Sequence, residues 1–189
     1  MVWLLLGVLL WSVVHWFPAL MPAWRAVLLE RLGPKYMGLF ALVIVFSLVL
    51  MVLGWRSAVP TFVYTPPVWG RHLTMLLILL AVFLFGAAHA PSRIRQYVRH
   101  PMLTGVAVWA FGHLLANGDS RSVVLFGGLL VWSVVSIFLI NRRDGTWNRP
   151  DIPPFSAELK LLGISVVVYA ALLFLHPWFA GMPLIMAGR

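Results

Sequence analysis

The sequence predicts an all-α integral membrane protein, a single domain of residues 1–189 that forms a bundle of about six transmembrane helices. Of its residues, 62% are hydrophobic and only 10% are charged, whereas a soluble domain is about half apolar and a quarter charged. Several uncharged segments reach the roughly 17–25 residues that a helix needs to cross a hydrocarbon core. These segments are apolar without alternation, which favours helices over the strands of a barrel.

Charged or proline-rich loops separate six apolar runs. The second run has no ionisable residue and is expected to be scaffold, and the fifth contains Gly127 and Gly128, small residues that let neighbouring backbones approach. Pro177 is expected to end or kink the sixth, which leaves an apolar tail to Arg189 along the interface. The predicted spans are residues 2–21, 37–55, 73–90, 102–118, 122–141 and a last one that begins near Leu161.

The loops carry most of the charge and predict an orientation. Residues 56–72, rich in proline and aromatic side chains, are expected to form an interfacial loop. Six spans place the predicted loops 22–36, 91–101 and 142–160 on one side, where they hold three, three and four basic residues, 10 of the 14 in the chain. By the positive-inside rule this side faces the cytoplasm, so both termini are predicted outside.

Composition also excludes classes of function. The formal charge of +9 lies in short gaps between apolar runs, where anionic headgroups attract it, so the bilayer is the expected partner and nucleic acid is not. The chain has no cysteine, which excludes disulfides, thiolate metal sites and iron–sulfur clusters. The five carboxylates lie in predicted loops, so no buried acid pair is expected for hydrolysis or a proton relay.

Two of the six histidines, His15 and His113, lie well inside the predicted spans. Ionisable groups at this depth cost several kcal/mol and are candidates for function. Neutral imidazole is a good axial ligand for haem iron, and two histidines on different helices can hold a porphyrin whose propionates pair with arginines. His15 and His113 are therefore candidate metal ligands of a haem b. The alternative is that each only forms a hydrogen bond across a helix interface.

The predicted spans place His15 and His113 at different depths, separated by roughly 7 Å along the membrane normal. Tilt and side-chain length close part of this gap; otherwise His89 or His100 becomes the partner of His113. Two residues, Trp109 and Asn117, lie one turn from His113 on the same helix face. Small residues near His113 leave room for a neighbouring helix or a flat cofactor: Gly105, Gly112 and Ala116.

The stretch RHPMLTGVAVWAFGHLLANGD, residues 99–119, carries a resemblance to a known family. This stretch resembles the NnrU family of bacterial membrane proteins, which are associated with denitrification and nitrogen-oxide handling. The resemblance extends over nearly the whole chain. This resemblance implies a protein of the bacterial inner membrane. The remaining residues that carry the resemblance are His15, Pro18, Arg25, Leu32, Gly33 and Tyr36.

The zeta-carotene isomerase family has a similar domain. Its resemblance implies a haem b held by histidines that match His15 and His113, and a further functional histidine at His100. It also implies isomerase-like or redox chemistry on a small hydrophobic substrate or with a redox partner.

Arg99, His100 and Pro101 also resemble a segment of the isoprenylcysteine carboxyl methyltransferases that helps hold S-adenosylmethionine at the membrane face. This resemblance implies an alternative function, a membrane methyltransferase that uses Arg99 and His100 to bind this cofactor. Those enzymes have a carboxylate pair after the next helix, where this chain has only the separate Asp144 and Asp151. A further hypothesis is a non-enzymatic accessory subunit, which the glycines of the fifth span suggest.

Overall fold

Long apolar helices build the protein. The structure is a computed structural model that describes residues 1–181, so the predicted interfacial tail beyond Gly181 lies outside the described residues. Five of its helices are long and apolar enough to span a membrane, and a sixth, Pro101–Ala116, is apolar but shorter. The all-α membrane bundle predicted from the sequence is confirmed. The helices are α1 (Val2–Leu20), α2 (Pro22–Leu32), α3 (Lys35–Ser57), α4 (Gly70–His89), α5 (Pro101–Ala116), α6 (Ser120–Asp144) and α7 (Phe155–Ala180).

Two helix boundaries differ from the sequence prediction. Residues 22–32 form helix α2 rather than a loop, since Pro22 stands at the first helical position, where its missing N–H costs nothing. Helix α7 begins at Phe155, earlier than Leu161, directly after Pro154. It continues past Pro177 because its last turn still closes, with the Gly181 N–H donating to the Pro177 carbonyl at 3.0 Å.

The helices pack as two pairs, α1 with α3 and α4 with α5, and α6 contacts both α1 and α5. Among the described helices, α7 packs extensively only against α4. One side of α7 therefore faces the bundle without a helix packed against it.

Glycines set the closest helix crossings. A Cβ at Gly7 would lie 2.8 Å from the Met51 backbone nitrogen of α3, and a Cβ at Gly54 would lie 2.6 Å from the Cα of Leu4 on α1. Gly128 in α6 lies against Val8, as its small size predicts. Gly127 faces open space instead, so only one of these two glycines serves the predicted close approach.

Two groups of loops meet at opposite ends of the bundle. At the end named here the Asp119 face, residues 58–69 meet residues 117–119: Phe62 bridges to Asp119, and the Val63 N–H donates to the Gly118 carbonyl at 2.9 Å. The Tyr64 hydroxyl donates to the carbonyls of Leu114 and Asn117. Burial and the nearby Asp119 carboxylate raise the pKa of Tyr64, which keeps this hydroxyl protonated as a donor.

The opposite end, the Arg99 face, joins residues 90–100 to residues 145–158. Glu158 accepts hydrogen bonds from the Ser92 hydroxyl at 3.0 Å and the Arg93 backbone at 2.8 Å. The Arg99 guanidinium donates to the Gly145 carbonyl at 2.7 Å. The loops thus alternate between the two ends as six crossings require.

Replacing Gly54 by alanine should destabilise the protein, since the new Cβ meets the Leu4 backbone, which cannot rotate away. The expected loss is about 1–3 kcal/mol, the usual range for overpacking. Unfolding of the purified protein in detergent measures it.

Gly38→Ala is the matched control, because Gly38 is an exposed glycine of the same helix with no atom within 4 Å of its added Cβ. This change should stabilise α3 by up to about 1 kcal/mol through helix propensity. Equal effects of the two substitutions would contradict the close α1–α3 crossing.

Candidate functional site

A cavity of about 800 Å³ lies between α4, α5, α6 and α7. Its size is within the roughly 300–1,000 Å³ of small-molecule sites, and its walls are mostly apolar, as in such sites. Arg71 is the one Lys, Arg, Asp or Glu among the described residues that line it. The cavity exists because α7 packs on α4 and leaves a gap toward α5 and α6.

His113 stands on the wall of this cavity. Its Nδ1–H donates to the Trp109 carbonyl of the preceding turn at 2.9 Å. Since a carbonyl only accepts, the neutral ring keeps its lone pair on Nε2, the arrangement typical of a metal-binding histidine. The ring stacks on Phe126 with centroids 4.4 Å apart and contacts the Trp109 ring at 4.8 Å, and these contacts fix its orientation.

The residues around His113 act in ways that the sequence predicts only in part. Asn117 lies one turn away, but its amide donates to the His113 backbone carbonyl at 2.8 Å rather than to the ring. Gly112 makes room for a helix, since the Thr74 hydroxyl of α4 reaches its carbonyl at 2.6 Å. Gly105 likewise lies against Phe85 of α4, while Ala116 lines the cavity.

Helix α7 contributes a complete face to the cavity, including His176, whose ring contacts Phe179 at 5.2 Å. The sequence analysis assigned His176 no role, because only His15 and His113 lie well inside the predicted spans. The helical spacing of the polar residues on this helix could have indicated the shared face. The residues that α7 contributes are Ile164, Ser165, Val168, Tyr169, Leu172, Leu173, His176, Phe179 and Ala180.

His15 lies elsewhere in the bundle, among aromatic rings of α1, α3 and α6. Its Nδ1–H donates to the Trp11 carbonyl at 2.8 Å, and its ring contacts those of Trp11 at 4.3 Å, Trp132 at 5.1 Å and Phe40 at 5.8 Å. His15 is not among the residues that line the cavity.

The contacts that the two histidines make with helix α6 show how far apart they lie. His15 contacts Trp132, and His113 contacts Phe126. These two rings are six residues apart, about 9 Å along the axis and a third of a turn around it. The structure therefore places His15 and His113 at different depths and on different sides of α6, and does not bring them to one cavity.

Two indole N–H groups beside His15, those of Trp11 and Trp132, are buried and have no hydrogen-bond partner in the described part of the chain. A buried donor without an acceptor costs about 1–3 kcal/mol. The surroundings of His15 thus contain polar hydrogen-bonding capacity that the described residues leave unused.

Arg99 and His100 join two helices at the Arg99 face. His100 directly precedes α5, and its Nε2–H donates to the Asn141 side-chain oxygen of α6 at 2.9 Å. Arg99 donates to Gly145 just beyond α6. Neither residue lines the cavity, and neither does His89, whose Nδ1–H donates to the Phe85 carbonyl at 3.0 Å. Sequence reasoning missed Asn141 because a lone amide carries no motif.

Several carboxylates of the described residues have local partners. Asp144 pairs with the neighbouring Arg143 at 2.7 Å, and Glu158 accepts hydrogen bonds from residues of the Arg99 face. Within residues 1–181, no group of three or more His, Cys, Asp or Glu side chains could hold a metal ion. A metal site here would have to rest on one or two histidines and a cofactor.

Comparison with known proteins identifies the family. The family model described as NnrU protein matches residues 3–184, so the chain belongs to the NnrU family. The resemblance noted in the sequence is therefore confirmed. No curated protein and no solved structure matches the chain.

Asn141→Ala should destabilise the Arg99 face, because the half-buried His100 donor loses its acceptor. The expected loss is about 1 kcal/mol, the typical net value of such a hydrogen bond, and thermal unfolding in detergent measures it. Asn148→Ala is the control, since Asn148 is exposed in the neighbouring loop. Equal stability of the two variants would show that the His100–Asn141 contact contributes nothing.

Proposed function

We propose that this NnrU-family protein binds a haem b in the cavity between α4 and α7, with His113 as an axial ligand. The haem would serve redox or isomerase-like chemistry connected with nitrogen-oxide metabolism at the bacterial inner membrane. One observation carries the proposal: a histidine whose Nδ1 is hydrogen-bonded to a carbonyl stands on the wall of a cavity of about 800 Å³.

The donor set of the cavity fits a haem. The Trp109 carbonyl holds the tautomer with the Nε2 lone pair, and the stacked Phe126 holds the ring plane, so His113 is organised before a ligand arrives. Apolar walls exclude water, which suits the hydrophobic faces of a porphyrin. When bound, the haem would supply an iron centre for redox chemistry or for binding a small ligand.

Arg71 is the proposed partner of the haem propionates. Arg99 donates to Gly145 and does not line the cavity. Arg71 lies in the first turn of α4 at the Asp119 face and is the charged residue of the described lining. A guanidinium there would pair with carboxylates and orient the porphyrin with its acidic edge toward that face.

Two histidines are candidates for the second axial position. His176 lines the same cavity as His113. His15, the partner proposed from the sequence, presents Nε2 in the same manner, and the unpartnered indole donors beside it could bind polar groups of a cofactor. His176 is favoured because it shares the cavity, whereas His15 would require its surrounding rings to move.

Protein purified from cells supplied with a haem precursor should show a Soret absorption band that His113→Ala abolishes. The physical reason is that this change removes the Nε2 ligand while leaving the cavity open. His72→Ala should retain the band, because His72 is an exposed histidine of α4 outside the cavity.

The same spectra identify the second histidine ligand of the haem iron. His176→Ala should change the position of the band while His15→Ala leaves it unchanged, and the reverse result would assign the second position to His15. A colourless wild-type protein under full haem supply would refute the haem proposal. An unchanged band in His113→Ala would refute His113 as the ligand of the haem iron.

We also propose that the Arg99 face lies in the cytoplasm, since its loops, with α2, carry most of the basic residues. The chain has no cysteine, so single cysteines report sidedness without background. In spheroplasts, an impermeant maleimide should label Val68→Cys at the Asp119 face and label Thr146→Cys only after lysis. The opposite pattern would reverse the orientation, and labelling of both would contradict six crossings.

A further inference from the structure

We infer that the part of the cavity nearest the Arg99 face binds one acyl chain of a membrane lipid, which enters sideways from the bilayer through the gap beside α7. The binding of this acyl chain does not depend on the proposed haem site. A role of the chain as substrate rests on that site.

The cavity extends far beyond His113. On α4 its lining runs from Arg71 to Gly86, 15 residues or about 22 Å, most of a hydrocarbon core about 30 Å thick. His113 is level with Thr74, which reaches the adjacent Gly112 carbonyl. The lining therefore continues for 12 residues, about 18 Å, past the histidine toward the Arg99 face.

The walls of this extension are mostly apolar. Ala81, Val82 and Phe85 line it from α4, with Ile164 and Val168 from α7. Ser165 also lines it, but its hydroxyl donates to the Leu161 carbonyl of its own helix at 2.8 Å. The Trp109 indole and the Tyr169 hydroxyl add two polar groups to the lining. An occupant of this region must therefore be apolar over most of its length, because few wall groups would replace the hydrogen bonds that a polar occupant loses.

The cavity borders the open flank of α7. Helix α7 packs extensively only against α4 among the described helices, so its cavity face borders a gap. Ile164 and Val168 on that face keep 52% and 43% of their surface accessible. In a bilayer the substance beside such a gap is lipid hydrocarbon, and filling it restores the dispersion contacts that an empty apolar space forfeits.

The length of the extension suits an acyl chain. The lining continues for about 18 Å past His113, close to the depth of one leaflet, half of a hydrocarbon core about 30 Å thick. A single acyl chain combines this length with apolarity.

Photolabelling of the protein in phosphatidylcholine nanodiscs tests this inference, with the probe a phosphatidylcholine that carries a diazirine at the end of one acyl chain. Mass spectrometry should find label on the cavity face of α7, at Val168 and Leu172. Val168→Trp should lower cavity labelling about tenfold, the equivalent of excluding roughly two methylene groups. Val167→Trp should leave it unchanged, because Val167 is exposed on the same helix outside the cavity.

Label confined to outward-facing residues such as Val167, or equal cavity labelling of the two tryptophan variants, would overturn the inference. Ile164→Phe provides a milder cavity-filling variant if Val168→Trp does not fold, and it should also lower the labelling. The His113→Ala protein separates this inference from the haem proposal, since its cavity labelling should persist without haem. Loss of labelling in that variant would overturn an independent chain site.

Discussion

Polar side chains in the spanning helices depend on hydrogen-bond partners inside the protein, because the hydrocarbon offers none. Several find that partner in their own helix: Ser12, His15, His113 and Ser165 each donate to the carbonyl one turn earlier. For the serines the result is a satisfied hydroxyl. For the histidines the same bond selects a tautomer, and the ring keeps a basic Nε2.

Close packing in one part of the bundle accompanies open volume in another. Gly7 and Gly54 let α1 and α3 cross at backbone contact, and Gly128 lets α6 approach α1. Helix α7 has a comparable contact at Leu161, which lies against Gly86 of α4, but packs extensively on no other described helix. The gap that this packing leaves beside α7 is the cavity, and His113 stands on its wall.

Hydropathy predicted the helices well, because span length and apolarity are properties of a continuous segment. The second span was placed at residues 37–55 and is Lys35–Ser57. Hydropathy does not predict which helices are neighbours in the bundle. The position of a residue along its span gives its depth in the membrane but not the helix that packs against it. The sequence could thus identify His113 as a candidate and even the depth mismatch with His15, but not the shared cavity of His113, His176 and Arg71, which depends on where α7 packs.

A hydrogen bond from a histidine ring to the carbonyl one turn earlier does not by itself mark a functional site. His15, His89 and His113 all donate through Nδ1 to the carbonyl one turn earlier. Of the three, only His113 lines the cavity of about 800 Å³; three aromatic side chains surround His15, and His89 ends its helix at the Arg99 face. A flat cofactor needs both an accessible lone pair and space for its ring, and the packing of α7 provides that space at His113.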